Sequence, residues 1–298
     1  MPYPTGMFTG ASGDLAVFIP EIWGSAINNF AKENTPATDF FTDRSSELAD
    51  GGNTVHTGNL TQMTANAKSA GTAVTLNSPT ETDIDLVVNT WYEVSFAVED
   101  GDEAIWKKSL YLQERMAKNA GYTAGQTLEN ALIALFDSFT SSVSASTSAV
   151  RDSDIRGAIG KVETATLEDV ENGDHRFFFD RKVWWNQVSY ADEFKLRVNN
   201  GTADPITKKP VKMLYGIPVS TSSNIDYVSG TTGRINVLAH KDAIHYALAK
   251  LPRQTGDKVR IQSQYDQSYL ATLTTADLKF GAIMNRATYG CIIYSSAS

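Results

Sequence analysis

Between residues 83 and 99 the chain alternates with period two. Ile84, Leu86, Val88, Tyr92, Val94, Phe96 and Val98 share one parity, and Asp83, Asp85, Asn89, Glu93, Ser95 and Glu99 share the other. This spacing predicts a half-buried strand. Strands usually run five or six residues, whereas a single strand over this segment would reach about 50 Å. A strand of that reach suits an elongated molecule. From 102 to 140 the period becomes helical. Ile105, Trp106, Leu110, Met116, Ala117 and Ala120 come first, then Leu128, Ala131, Leu132, Leu135, Phe136 and Phe139. Gly121 and Gly125 interrupt the pattern, which fits one bent helix or two.

Residues 51–80 follow neither period. Lys68 is the only Lys, Arg, Asp or Glu in that stretch, and Thr, Asn, Ser, Gly and Ala dominate it. Short β-like pieces at 54–57 and 72–76 predict a long hairpin. It has neither a broad apolar face to dock on its own domain nor the charge and Pro content of disorder. An isolated two-stranded hairpin is marginal in water, so this one is expected to lie on something else, with another copy of the chain as the natural support.

Residues 1–50 read as an arm. Its Gly- and Pro-rich start leads to Pro20 at the first turn of a short helix, where Ile22, Trp23, Ala26, Ile27 and Phe30 share one face. The remainder, 150–298, reads as α/β and then β. Helices are predicted at 152–162, 181–198 and 241–251, the last stopped by Pro252. Strands are predicted at 175–179, 213–220 (interrupted by Gly216 and Pro218), 234–239 and in the closing segment, with a turn near 285–287.

Composition adds limits. The chain has 298 residues, 42% of them hydrophobic, which is enough for a sizeable core. Its net charge of −8 gives no counterion-release affinity and argues against a dedicated nucleic-acid binder. The single cysteine, Cys291, excludes an internal disulfide framework and a multi-thiolate zinc site, and reads as a small buried hydrophobe on a strand. The first residues lack a basic region followed by an apolar core, and no apolar run approaches the roughly 20 residues of a bilayer span. The expectation is a protein of a cytoplasm-like compartment, with no membrane.

Catalytic patterns are absent. No G-x-S-x-G elbow occurs, and Gly160-Lys161 is followed by Val162 where a phosphate loop needs Ser or Thr. His240 and His245 are five apart, not the four of a zinc-protease helix. Asp83 and Asp85 lie on the polar parity of a strand, and Asp152 and Asp154 suit a helix N-terminus. Phe177 to Phe179 with Trp184 and Trp185 lack the interleaved cations of a base-stacking platform and read as core. The residues thus predict no catalytic centre, metal or cofactor.

The order of the segments resembles the tailed-bacteriophage major capsid proteins with the Hong Kong 97-like fold. Ile19–Trp23 is similar to the start of the arm, 51–80 to the extended loop, 102–140 to the spine helix, Gly216–Val219 to the axial-domain strand entry, and Leu278–Ile293 to the closing strands. The resemblance covers nearly the whole chain and rests on order and spacing, not on a strict motif. It implies an α+β fold divided into an N-terminal arm (1–50), an extended β-hairpin loop (51–82), a peripheral domain with a long spine helix (83–149 and 258–290) and an axial α/β domain (150–257 and 291–298).

The implied function is structural, not enzymatic. Pentamers and hexamers would form an icosahedral shell enclosing double-stranded DNA, in a virion assembled in the host cytoplasm. Implied partners are further copies of the chain, a scaffolding protein, a portal and decoration proteins, with weak non-specific proximity to packaged DNA. No long scaffolding segment precedes the arm, so a separate scaffold or a trimmed precursor is expected. The inter-subunit candidates are Ile19, Pro20, Ile22, Trp23, Ile27 and Phe30 of the arm. Val55, His56, Leu60, Met63, Lys68, Val74 and Leu76 are those of the hairpin. Some members of the fold cross-link lysine to asparagine, and Lys68 with Asn285 is the pair this sequence offers. Two alternatives stay open: an encapsulin-like nanocompartment shell, against which the long arm argues, and a soluble enzyme with a scattered site.

Overall fold

Among the described residues the first strand, Thr42–Asp43, lies within the segment expected to be arm. The computed structural model describes residues 35–48, 51–60, 63–100, 109–170, 173–188, 213–228, 233–254 and 258–296, with backbone alone for 59–60 and 109–114. The predicted arm helix around Trp23 lies outside the described residues, as do Ile105, Trp106 and residues 189–198 of the helix predicted at 181–198. In chain order the elements are β1 (Thr42–Asp43), β2 (Thr54–Leu60), β3 (Glu81–Val87), β4 (Thr90–Glu99), helix α1 (Ser109–Ala134), β5 (Ser141–Val143) and helix α2 (Asp152–Thr166). There follow β6 (His175–Asp180), a helical turn at Arg181–Val183 that widens into a π-turn at Trp184–Val188, β7 (Met213–Leu214), β8 (Ile217–Ser222) and β9 (Arg234–His240). The chain closes with β10 (Ile244–Leu248), β11 (Arg260–Asp266), β12 (Ala271–Met284) and β13 (Gly290–Ser295).

These strands make three sheets. A five-stranded sheet is organised by β12, which pairs antiparallel with β4, β11 and β10, while β1 runs parallel on the far side of β10. A six-stranded sheet has the order β5-β13-β9-β6-β8-β7. The third is the β2–β3 hairpin. The fold is therefore mixed α+β.

The alternation over 83–99 is real, but it belongs to two strands. β3 pairs with β2, the chain breaks register at Val88 and Asn89, and β4 pairs with β12 in another sheet. One parity points inward in both strands, with Leu86, Val88 and Val98 buried, so the pattern runs through the break unchanged. The crossing is close. A Cβ on Gly281 of β12 would strike the Val87 carbonyl and the Val88 backbone, so this position admits only glycine. The single 50 Å strand is thus corrected to two shorter ones.

α1 is one continuous helix through Gly121 and Gly125, 26 residues long, and a 3-10 turn at Leu135–Ser138 extends it. At Gly121 a Cβ would sit 3.1 Å from Ile261 of β11, so the missing side chain lets the helix lie close on the sheet. Leu128, Leu132, Ile133 and Phe136 face a core shared with Phe41, Phe178, Val237, Ile244, Leu278 and Phe280. The other face of the six-stranded sheet packs on α2 and the 181–188 turn through Phe177, Phe179, Leu238, Cys291 and Ile293. Successive residues of β6 therefore enter opposite cores, which is why it reads as an unbroken apolar run. Cys291 is buried on β13, and burial pushes its thiol up to about 11. Phe177, Phe178, Phe179 and Trp184 are core, as read from the sequence, but Trp185 is half exposed.

One expectation fails, one is refined and one strand went unread, each for an identifiable reason. The helix at 241–251 is a 3-10 turn, Lys241–Ala243, followed by strand β10. Every residue of β10 is buried between β1 and β12, so alternation is lost and the run mimics a buried helix. At 213–220 the glycine does more than interrupt a strand. Tyr215 (φ 52°) and Gly216 (φ 79°) form a two-residue turn joining β7 to β8, the left-handed geometry such hairpins require. β11 carries too few apolar residues to announce itself, with Ile261 and Tyr265 its only large ones.

The 35–48 segment is core, not free arm. Phe41 stacks on Phe178 at 5.6 Å between ring centroids, and Ala37 and Leu48 are buried. Its anchor is Glu129, fully buried on α1. The backbone N–H groups of Ala37 and Thr38 donate to its two carboxylate oxygens at 2.8 and 2.9 Å, and the Thr38 hydroxyl donates at 2.7 Å. Tyr246 of β10 donates to the Thr38 carbonyl at 2.8 Å. Burial raises the Glu129 carboxyl, and the three donated bonds oppose that rise. In Glu129→Gln the amide nitrogen would face donors. Urea unfolding should show a loss of about 1–3 kcal/mol, the cost of buried donors left unmatched. Unchanged stability would contradict the anchor.

Candidate functional site

No catalytic constellation came from the sequence, so the site to test is the surface offered to other molecules. The hairpin has two parts of opposite character. At its base, Val55, Leu86 and Val88 pack against Leu48 and Ala247, with Ala249 and Ile283 alongside. The base is thus docked on its own chain, which corrects the expectation of a hairpin with no apolar face. Val55 belongs to this small core, so it is spent within the chain and is not available as a contact.

The outer face of the base is polar. His56 stands opposite Asp85 in register, with its Nδ1 2.6 Å from Asp85 and 3.2 Å from Asp83. These three donors lie close enough to share a metal ion, but all are exposed. The hydrogen bond and charge of Asp85 raise the His56 pKa, with Asp83 adding to the effect.

The tip departs from the expected hairpin. The ladder runs from Thr54↔Val87 to Leu60↔Glu81, and 72–76 is not a strand. Beyond Leu60, side chains take over the pairing. Asn66 donates to the Asn77 side chain at 3.1 Å, and Asn77 donates to the Thr64 carbonyl at 2.5 Å. Lys68 folds back on the carbonyls of Ser69 and Thr72. This is a shaped but nearly fully exposed loop. Met63, Val74 and Leu76 are 64%, 68% and 88% exposed. Covering an apolar side chain of this size is worth about 1.5–3 kcal/mol, and nothing among the described residues covers these.

Of the other candidates, Leu60 is placed on β2 by its backbone alone, and Ile19, Pro20, Ile22, Trp23, Ile27 and Phe30 lie outside the described residues. Asn285 sits in the turn after β12. Its amide donates to the Asp242 carbonyl at 3.0 Å and lies 3.3 Å from His245 Nε2.

Further exposed apolar side chains escaped sequence reasoning, and the ladder puts Trp91 and Leu273 on one face of the five-stranded sheet and Tyr92, Ile261 and Tyr265 on the other. Trp91 and Tyr92 on β4, Ile261 and Tyr265 on β11, and Tyr269, Leu270 and Leu273 around the β11–β12 turn all remain substantially exposed. The signal was present in the unbroken pair Tyr269-Leu270 at a turn, where solvated residues are the rule. On the face that carries Trp91, Asp277 is buried and ties three strands together. Arg260 of β11 donates to it at 2.8 and 2.5 Å, and the Trp91 indole of β4 donates at 3.1 Å. Among the described residues no helix is long and apolar enough to cross a membrane.

No protein-family model matches this sequence, and no curated protein does. Solved structures do. A structure of Mycobacterium phage Che8 superposes with a TM-score of 0.72 at 17% identity, covering 93% of this chain and 97% of that one. The capsid structure of the cyanophage P-SCSP1u gives 0.72 at 13% identity, covering 98% and 97%. The mature capsid of bacteriophage PhiM1 gives 0.69 at 11% identity, covering 93% and 91%. At these identities the likeness establishes the fold, and it is the phage capsid fold that the order of segments implied.

The carboxylates opposite His56 generate a pH prediction. With a folded pKa above the ordinary 6.5, the protonated ring adds stability to the hairpin below that pH, and the contribution fades as pH rises through the folded value. NMR titration of the His56 ring should give a midpoint above 6.5 that falls in Asp85→Asn. A midpoint indifferent to the substitution would contradict the cross-strand contact.

Proposed function

We propose that this chain is the major capsid protein of a tailed bacteriophage, a structural subunit and not an enzyme. The observation that carries the reading is the match along nearly the full chain to phage capsid structures. The exposed hairpin tip supports it, since a loop with uncovered apolar residues gains its stability from a neighbour. In this reading pentamers and hexamers close into an icosahedral shell around double-stranded DNA, in a virion assembled in the host cytoplasm. Met63, Lys68, Val74, Leu76 and the arm residues Ile19 to Phe30 meet adjacent subunits, and the −8 charge leaves packaged DNA ungripped. Scaffold, portal and decoration proteins are the partners.

The domain division we propose is an arm at 1–50, whose 35–48 stretch is docked in the core, an extended loop at 51–82, a peripheral part at 83–149 and 258–290, and an axial part at 150–257 and 291–298. Sheet membership suggests two adjustments: β10 goes with the five-stranded peripheral sheet and β5 with the six-stranded axial one. α1 is then the spine helix.

Folding and assembly are coupled in such a subunit, because contacts made only by neighbours add to stability as concentration rises. The test is sedimentation velocity and electron microscopy of the expressed chain, alone and with its scaffold. Rings, hexamers or closed shells are expected. A chain that stays a compact monomer under both conditions would contradict the proposal.

A further inference from the structure

The end of the six-stranded sheet holds a cluster that neither the capsid reading nor the sequence patterns account for. His240 closes β9 and lies opposite His175, which opens β6. Both rings are buried and stand edge to face with centroids 4.9 Å apart. Asp174 precedes β6, and Glu168 follows the left-handed cap of α2 at Leu167. Three donors converge there: one ring nitrogen of His240 and one carboxylate oxygen each from Glu168 and Asp174 lie within 4.8 Å of one another. Among the described residues His240 Nε2, which is buried, has no hydrogen-bond partner, although it lies within 3.5 Å of Glu168 Oε2.

We propose that Glu168, Asp174 and His240 form a binding site for a divalent transition-metal ion of the zinc class. One imidazole with two carboxylates suits zinc, cobalt, nickel or manganese better than calcium or magnesium, which prefer oxygen ligands alone. The spacing fits. A tetrahedral zinc with ligands at 2.0–2.1 Å has ligand-to-ligand edges of about 3.4 Å. The nitrogen–oxygen separation of 3.5 Å is close to that edge and too long for a good hydrogen bond. The site is also reachable, since the Glu168 side chain is 53% and the Asp174 side chain 40% exposed.

The surroundings supply what a metal-bound histidine needs. His240 Nδ1 now accepts the Asp242 backbone N–H at 3.1 Å, so the neutral ring carries its proton on Nε2. A metal taking Nε2 needs the other tautomer, so the ring proton moves from Nε2 to Nδ1 and the bond from the Asp242 N–H to Nδ1 is given up. The Asp242 carboxylate, 4.0 Å from Nδ1, can then accept a hydrogen bond from Nδ1–H in the carboxylate–histidine–metal arrangement. Lys241 donates to Asp174 at 2.9 Å and offsets part of the negative charge. An ion here would tie the turn after α2 to the ends of β6 and β9, stabilising the chain by mass action.

The experiment is calorimetric titration of Zn²⁺, and of Co²⁺ with its visible spectrum, into the full chain after chelator treatment. Saturable binding of a single ion is expected, with the intense visible bands of tetrahedral cobalt. Glu168→Gln, at an exposed side chain, should weaken binding by at least about tenfold, and Asp242→Asn by about tenfold. His56→Gln should leave it unchanged, which separates this site from the exposed His56–Asp83–Asp85 group. Absence of saturable binding, equal affinity in Glu168→Gln, or loss in His56→Gln would each overturn the proposal.

Discussion

β12 is the strand on which the rest of the structure depends. Its 14 residues, about 46 Å of chain, carry ladders on both edges. β4 lies along one edge, and β11 and then β10 lie along the other. This arrangement demands a strand whose backbone donors and acceptors are paired almost throughout. It also demands a residue with no side chain where β3 crosses into β4, which Gly281 provides. The buried carboxylate of Asp277 works within the same frame, satisfied by groups from both flanking strands. α1 lies on this sheet, and Glu129 fixes the incoming chain to α1, so arm, helix and sheet share one core.

The hairpin inherits its position from that frame. Its base is fixed by Val55, Leu86 and Val88 against the strands beside β12, and its tip extends past the last ladder pair, Leu60↔Glu81. Polar side chains shape the tip while Met63, Val74 and Leu76 stay uncovered. A rigid root with an uncovered end is suited to reaching a neighbour. The root sets direction at no further entropic cost, and the end gains its burial on contact. The exposed aromatic side chains of β4 and β11 follow the same logic, since apolar area on a sheet is stabilised only when something covers it.

Much of this was legible where one periodicity governs one element. α1 and α2 followed their apolar spacing, and the polar composition of 51–80 marked a loop that the described residues do not cover. Legibility ended where position depends on distant residues. The parity of 83–99 passes through Val88 and Asn89 without a mark, because the break is imposed by a crossing strand. The double burial of β10 erased the alternation that would have named it a strand. The Glu129 anchor joins positions more than 90 residues apart. The convergence of Glu168, Asp174 and His240 is likewise created by strand pairing, and no local spacing announces it.

The central claim is that the hairpin tip is exposed in the single chain and covered only by a neighbour. Hydrogen–deuterium exchange, compared between assembled particles and dissociated subunits, tests it directly. Backbone amides of residues 63–80 should exchange rapidly in the subunit and be strongly protected in the particle, while β12 stays protected in both. Equal, rapid exchange of the tip in both states would contradict the account.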